Sequence, residues 1–296
     1  MGTPVIYRGS KDAWLIYSVM SQELKNESID LDLSNIKFLK TNEIILLVMF
    51  MIHLTSNGNI IRVTGPKDQK ARGYIHDIML IDFCNSNWVE STTLNAISSQ
   101  TAMPIRRLTE DKMPEYINFS EQYFESICEG KDLTMLNLSM AELLNNVYNH
   151  SKSKIDAYAF CQFFPGKQQI HVVVGDYGIG IPSSVNKYLI EQEKSISHAL
   201  SDVDSLAWAV ELNNSAKSIP NNQGKGLFNV LNFVKSNKGK VFIYTNGAFL
   251  MSDVDTNFES VVEQNYISNF QGTIVVLVID VNNLEEIDRE LVDFDF

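Results

Sequence analysis

A single stretch of the chain combines an apolar strand with a turn that carries one carboxylate. Residues 172–174 are valines, and the chain continues as Gly175-Asp176-Tyr177-Gly178-Ile179-Gly180. β-Branched residues favour a strand, a carboxylate at its end is costly to bury without a partner, and alternate glycines let the backbone approach a ligand closely. The segment predicts either an ordinary Asp-X-Gly turn or a pocket in which Asp176 reads a donor group, such as the exocyclic amine of adenine.

A polar face marks the helix that the apolar periodicity predicts over residues 139–150. Glu142, Asn146 and His150 follow one another at four-residue spacing, which places them on one side of a helix. A glutamate can act as a general base, and an asparagine oxygen suits Mg²⁺. The alternative is a face of solvated polar groups. His150 is either a supporting group of such a site or a satisfied core or capping histidine.

Two glycines precede a second helical segment further along the chain. Gly224 and Gly226 flank Lys225, and apolar periodicity begins at Leu227. A helix N-terminus offers free N–H groups and the positive end of the helix dipole to phosphate. Lys225 would add positive charge there, or else is a solvated lysine. A Gly-X-Gly before a helix is common, so this segment alone does not separate a phosphate site from an ordinary helix start.

Together, and in this order, the segments resemble the ATP-binding Bergerat fold of gyrase-type ATPases, sensor histidine kinases and mismatch-repair ATPases, the GHKL superfamily. Gln271-Gly272-Thr273 before an apolar strand is similar to the final strand of that fold, which carries a threonine. The similarity covers about residues 104–282. The residues that match the family motifs are Glu142 and Asn146 (N box), Asp176, Gly178 and Gly180 (first glycine box), Gly224 and Gly226 (second glycine box), and Thr273.

The resemblance implies an α/β fold for residues 103–296, in which helices cover one face of a mixed sheet and a lid spans about 183–223. It also implies a site for ATP and Mg²⁺. In that site Glu142 would orient the attacking nucleophile, Asn146 would hold Mg²⁺, and Asp176 would accept from adenine. The other residues implied to bind ATP are Gly178, Gly180, Gly224, Lys225, Gly226, Leu227 and Thr273.

The N-box spacing is most similar to that of anti-sigma-factor serine kinases. Three functions stay open at this point. One function is an ATPase whose lid and partner contacts follow the nucleotide state. A second is a protein serine/threonine kinase that uses Glu142 on a partner hydroxyl, and a third is a nucleotide-gated binding module with negligible turnover. A Rossmann site is disfavoured because its glycines would stand in the wrong order and because Pro182 is expected to stop a following helix.

Residues 1–102 predict a separate small α/β domain. A strand is expected at 29–34, a helix at 42–55 with Asn42 as its N-cap, a strand at 60–64 and a helix at about 69–79. The stretch Asp30 to Glu43 resembles the STAS domains of anti-sigma-factor antagonists, but Asn42 stands where that family has its phosphorylated serine. The resemblance implies a docking or regulatory module, and the alternative is a generic α/β cap. The second domain is expected to bind ATP without it.

Composition limits the partners. The formal net charge of −12 disfavours binding to nucleic acid or to anionic lipid, since both require clustered Lys and Arg. Three scattered cysteines fit neither a disulfide framework nor a metal site, which indicates a reducing cytoplasm. The longest apolar run, residues 44–52, is too short to cross a bilayer. A protein partner or a second copy of the chain is expected, and a bacterial signalling role rests on the resemblance alone.

Overall fold

A computed structural model of the chain describes residues 2–20, 22, 24–81, 101–150, 157–191, 199–211, 226–253, 258–263 and 271–287. Within these ranges the protein is an α/β structure with a three-stranded sheet and a seven-stranded sheet. None of the helices found there has the length and hydropathy needed to cross a membrane.

The N-terminal unit is built on a parallel sheet in the order β1-β2-β3. The strand and helix expectations for residues 29–79 are confirmed within two residues at each end, whereas β1 and α1 were not predicted. The elements are β1 (Thr3–Ile6), α1 (Ala13–Met20), β2 (Ser28–Asp32), α2 (Thr41–Ser56), β3 (Ile60–Thr64) and α3 (Gln69–Asp77).

The start of α2 differs from the sequence prediction. The helix begins at Thr41, so Asn42 lies inside its first turn and the N-cap assignment to Asn42 is wrong. The side chain of Glu43 instead reaches back and accepts a hydrogen bond from the backbone N–H of Lys40, at 2.8 Å. A carboxylate there stabilises the helix start because it satisfies a free N–H group close to the positive end of the dipole.

The second unit is built on a sheet with the order β4-β5-β6-β10-β7-β8-β9. All six neighbouring pairs among these strands are antiparallel, so the expected mixed sheet is wrong. The parallel pairs belong to the N-terminal sheet. The strands are β4 (Arg106–Leu108), β5 (Ala157–Phe164), β6 (Gln169–Asp176), β7 (Lys240–Thr245), β8 (Ala248–Asp253), β9 (Phe258–Glu263) and β10 (Thr273–Asp280).

Short connections explain the antiparallel pairing. A turn of four residues joins β5 to β6, and Asn246-Gly247 joins β7 to β8. Connections this short link antiparallel neighbours, whereas parallel strands need a crossover. Because β6 pairs antiparallel on both sides, the Gly178 turn does not follow a strand of a parallel Rossmann sheet.

Five helices accompany the second sheet in the part of the chain that the structure describes. One set of alternate strand residues, including Val172 and Val174 of β6 and Leu277 of β10, forms a buried cluster with α4, α5 and α8. We call this side of the sheet the front face. The helices are α4 (Met113–Ile127), α5 (Thr134–His150), α6 (Gly180–Glu191), α7 (Asp202–Val210) and α8 (Gly226–Ser236).

The second unit's own described helices lie on the front face of the seven-stranded sheet, and a helix of the N-terminal unit covers the other face. Helix α2 of the N-terminal unit packs against β5, β6 and β10 on the opposite side, the back face. The strands present an apolar surface there, and it shares one buried cluster with the N-terminal unit. Its members from the sheet are Tyr158, Phe160, Val173, Ile274, Val276 and Val278. Such a surface must be removed from water, and α2 supplies the cover.

The described part of the predicted lid contains most of α6 and all of α7, and the sequence predicts a helix near the second of these, at residues 206–212. Val185 and Leu189 of α6 are buried one turn apart, and the side chain of Asn186 bonds both the N–H and the C=O of Leu200 ahead of α7. Pro182 lies in the first turn of α6, where its missing N–H is tolerated, so the expectation that it stops a helix is wrong. Residues 192–198 and 212–225 of the predicted lid lie outside the described residues.

Candidate functional site

Three polar side chains form a row across one end of the second sheet. Asp176 ends β6, Thr273 begins β10 directly opposite it, and Thr245 ends β7 opposite Thr273. Side chains two residues apart on a strand share a face, so Asp176 lies on the front face with Val172 and Val174. The hydroxyl oxygens of Thr245 and Thr273 are 3.2 Å apart. The sheet therefore brings together two residues that the sequence predicted for ATP binding, Asp176 and Thr273.

Asp176 is a buried carboxyl group. It is 5% exposed, and its Oδ1 accepts a hydrogen bond of 2.7 Å from the backbone N–H of Gly178. Burial raises the pKa of Asp176 to about 7, although the bond from Gly178 opposes the shift. A buried acid poised near neutral pH at the mouth of a turn is a group that a hydrogen-bond donor would satisfy.

The turn after Asp176 is held in place by the end of β7. The N–H of Ile181 donates to Thr245 Oγ1 at 2.9 Å, and Asn246 Nδ2 donates to the carbonyl of Ile179 at 3.2 Å. Gly180 has a φ of +80°, and a methyl group there would lie 2.6 Å from Cγ of Asn246. Gly180 is thus required for the backbone conformation and for the approach of Asn246.

Glu142 of α5 meets the N-terminus of α8. Its half-buried carboxyl group lies against the Cα of Gly226, the first residue of α8, where a methyl group would stand 2.7 Å from Cδ of Glu142. These residues belong to different predicted motifs and are far apart in the chain, yet the fold brings them into contact. Residues of the N box and of the second glycine box are therefore in contact, and a side chain at position 226 would collide with Glu142.

Of the other predicted residues, four are described by the structure and two are not. Asn146 is half-buried one turn beyond Glu142 on α5, and Leu227 is half-buried in the first turn of α8. Gly178 lies in the turn, with its N–H on Asp176. His150 is the last residue of α5. Gly224 and Lys225 lie outside the described residues.

Thr245 and Asn246 are site residues that the sequence analysis missed. Thr245 is fully buried, and its hydroxyl lies 3.1 Å from the carbonyl oxygen of Gly272, to which it donates. The signal was present in the sequence, because Asn246-Gly247 between alternating apolar residues indicates a two-residue hairpin. Predicting that hairpin would have placed Thr245 at a strand end, but not beside Asp176.

The residues present fit a nucleotide and its metal ion. Asp176 and Thr273 offer a buried carboxyl group and a hydroxyl to an adenine edge, and the helix that begins at Gly226 offers the backbone N–H groups of its first turn to phosphate. In the described ranges no three His, Cys, Asp or Glu side chains converge to hold a metal ion. Asn146 is an oxygen donor that would hold Mg²⁺ in a shell made largely of phosphates and water.

Comparison of the chain with models of known protein families and with the sequences of curated proteins gives no match.

Proposed function

We propose that the chain binds Mg-ATP in the manner of the GHKL superfamily and hydrolyses it, so that the nucleotide state controls contacts with a protein partner. The observation that carries this proposal is the buried row of Asp176, Thr273 and Thr245 at one end of the sheet. A buried carboxyl group with a pKa near 7 and a neighbouring hydroxyl form an acceptor and donor pair. Adenine presents an amine at the matching edge.

Adenine selectivity follows from the hydrogen-bonding capacity of Asp176. When ionised, Asp176 accepts a hydrogen bond from an exocyclic amine, whereas guanine places a carbonyl oxygen at that position and the two acceptors repel. The bond from Gly178 to Oδ1 fixes the orientation of the carboxyl group before a ligand arrives. A site built to bond a buried polar group discriminates strongly against ligands that leave it unpaired.

Phosphate binding is assigned to the start of α8. The free N–H groups of its first turn and the positive end of its dipole attract phosphate oxygens, and the absence of a side chain at Gly226 lets the carboxyl group of Glu142 lie against this helix start. Asn146 would hold the metal ion, which when bound neutralises charge on the triphosphate. Catalysis would then consist mainly of positioning and charge neutralisation.

Glu142 is assigned the role of orienting and deprotonating the nucleophile. Its carboxylate lies at the start of α8, the helix end at which the phosphates are proposed to bind, and a carboxylate there can orient a water or hydroxyl and accept its proton. The same position also suits a second role, in which Glu142 stabilises α8 as a charge at its N-terminus. The two roles differ in what they predict for Glu142→Gln: loss of turnover if Glu142 is the base, and parental turnover if it only stabilises α8.

Titration calorimetry on the full chain tests the proposal. We expect binding of ATP that is strengthened by Mg²⁺, much weaker binding of GTP, and slow release of phosphate from ATP. Equal affinity for ATP and GTP would contradict the role of Asp176. Intact mass after incubation with ATP and a candidate partner distinguishes hydrolysis from phosphate transfer to a hydroxyl group, and binding without turnover would leave a nucleotide-gated module.

A further inference from the structure

Helix α2 lies lengthwise along β6 on the back face. Thr41 Oγ1 lies 3.3 Å from His171 Nδ1 near the start of the strand, and the ring of His53 lies 4.8 Å from the ring of Tyr177 just beyond its end. Twelve residues of helix span about 18 Å, and six residues of strand span about 20 Å. The two elements therefore run in the same direction and stay in register over this whole length.

Helix α2 packs tightly against β6 at Gly175, next to the proposed nucleotide site. Gly175 precedes Asp176 and points to the back face. A methyl group there would lie 2.5 Å from Cγ2 of Ile45 and 3.2 Å from Sδ of Met49. Residues 41, 45, 49 and 53 repeat at four-residue spacing and form one stripe. The side chains of Ile45 and Met49 thus occupy the space that Gly175 leaves open.

His53 extends this contact to the turn itself. Tyr177 stands between Asp176 and Gly178, the two residues joined by the bond that orients the carboxyl group. Burial lowers the pKa of His53 below its ordinary value, so the ring that faces Tyr177 is neutral at neutral pH. Both Tyr177 and His53 are half-buried. Because their rings are in contact, the position of α2 constrains Tyr177, the first residue of the turn.

We infer that α2 is a positioning element of the nucleotide site: Ile45, Met49 and His53 set the height and tilt of the Gly175–Gly178 turn from the back of the sheet. This inference rests on the proposed function of that turn. Packed interiors transmit small shifts because they are close-packed and little compressible. A displacement of α2 would therefore move Asp176 relative to Thr273 and change the affinity for adenine without touching the ligand.

The test is a size-complementation series in the full chain. Gly175→Ala adds one methyl group against Ile45, and Ile45→Ala in the same chain removes the obstructing carbon. We expect Gly175→Ala to raise the Kd for a non-hydrolysable ATP analogue about tenfold and to reduce the preference over the GTP analogue, and the double variant to return within about twofold of the parent. Urea unfolding of each variant separates these effects from global stability.

Two further variants complete the series. His53→Ala removes the ring against Tyr177 and is expected to raise Kd about threefold, and it decides the matter should Gly175→Ala not fold. Thr41→Val, the matched control, breaks the contact with His171 at the far end of the same interface. It is expected to leave the Kd unchanged.

Several outcomes would overturn the inference. A folded Gly175→Ala with parental Kd, or a raised Kd that Ile45→Ala does not restore, would show that α2 does not position the turn. An equal loss of affinity in Thr41→Val would assign the effect to general loosening of the interface. A parent chain that binds no adenine nucleotide would remove the proposed function, and this inference with it. If the parent chain binds ATP and the variants bind it with the same Kd, only the inference about α2 is wrong.

Discussion

The two faces of the seven-stranded sheet carry different chemistry on the same strands. On the front face, β6 and β7 end, and β10 begins, in the row of Asp176, Thr273 and Thr245. On the back face the same strands are apolar and form one core with the N-terminal unit. Strand alternation thus lets one strand carry the residues proposed for recognition on one side and packing residues on the other.

Polar contacts across the back face fix the position of the N-terminal unit. Asn42 Nδ2 donates to Tyr244 Oη at 3.4 Å, and Tyr74 Oη donates to Gln162 Oε1 at 2.8 Å. Burial raises the pKa of Tyr244 to about 12, so its hydroxyl stays neutral. Apolar contact alone would tolerate sliding of α2, whereas these partly buried hydrogen bonds favour one register because breaking them costs free energy.

The largest effect is expected when the back face is uncovered. Expression of residues 103–296 alone would expose the six apolar side chains of the sheet named above, each worth about 1.5–3 kcal/mol when buried. The total approaches the net stability of a whole domain. We therefore expect this fragment to aggregate or to bind a hydrophobic dye, contrary to the sequence-based expectation that it binds ATP alone.

Co-expression of the two halves is the control for the truncation. Residues 1–102 supplied in trans should restore solubility if the shared core is the cause. If the fragment 103–296 is monomeric, folds cooperatively and binds ATP with parental affinity, then the back face does not need the N-terminal unit as its cover.

The next largest effect concerns Glu142 on the front face. Glu142→Ala should reduce ATP turnover by about 10²- to 10⁴-fold, while the Kd for ATP stays near the parental value, because the carboxylate acts on the nucleophile. Phosphate release and calorimetry measure the two quantities. Glu142→Gln should be equally inactive, since an amide is not a base. Parental turnover in either variant would leave Glu142 as a stabilising charge for α8.

The sequence predicted most local structure but not the relation between the two faces. Helix α5 and strand β6 were predicted from periodicity, and Glu142 and Asp176 from the motifs they carry. Helix α6 was missed because Gly180 and Pro182 at its start resemble a turn. The contact of α2 with Gly175 was not predictable, because it joins residues far apart in the chain and depends on the space left by a missing side chain.

A smaller effect is expected from Asp176 itself. Asp176→Asn replaces an acceptor with a group that can also donate, and it should weaken ATP binding by about 1–3 kcal/mol through a lost or mismatched hydrogen bond. Preference for ATP over GTP should fall with it. Thr273→Val is the matched control across the strand pair and should weaken ATP binding less, because the threonine is uncharged. Unchanged ATP affinity in Asp176→Asn would remove Asp176 from the site.

The protonation of Asp176 predicts a pH dependence. Its pKa is raised from 3.8 to about 7 in the fold, so its contribution to stability is present below about pH 4 and is lost as the pH rises to about 7. Binding of adenine requires the ionised form, so ATP affinity should increase between pH 6 and pH 8. Calorimetry across this range measures the change. Asp176→Asn should lose the part of the profile that Asp176 causes, and identical profiles would contradict the assignment.

The smallest effect is expected at Thr41, at the far end of the back face. Thr41 is 4% exposed and faces His171 from the first residue of α2. Thr41→Val should cost about 0.5–1.5 kcal/mol of unfolding free energy, the usual worth of one hydrogen bond. A buried hydroxyl that packs against a strand is inaccessible to a phosphorylating group, so incubation of the full chain with ATP should leave Thr41 unmodified by mass spectrometry. Stoichiometric phosphothreonine at Thr41 would require α2 to leave the sheet, and would show that the cover of the back face opens while the front face binds ATP.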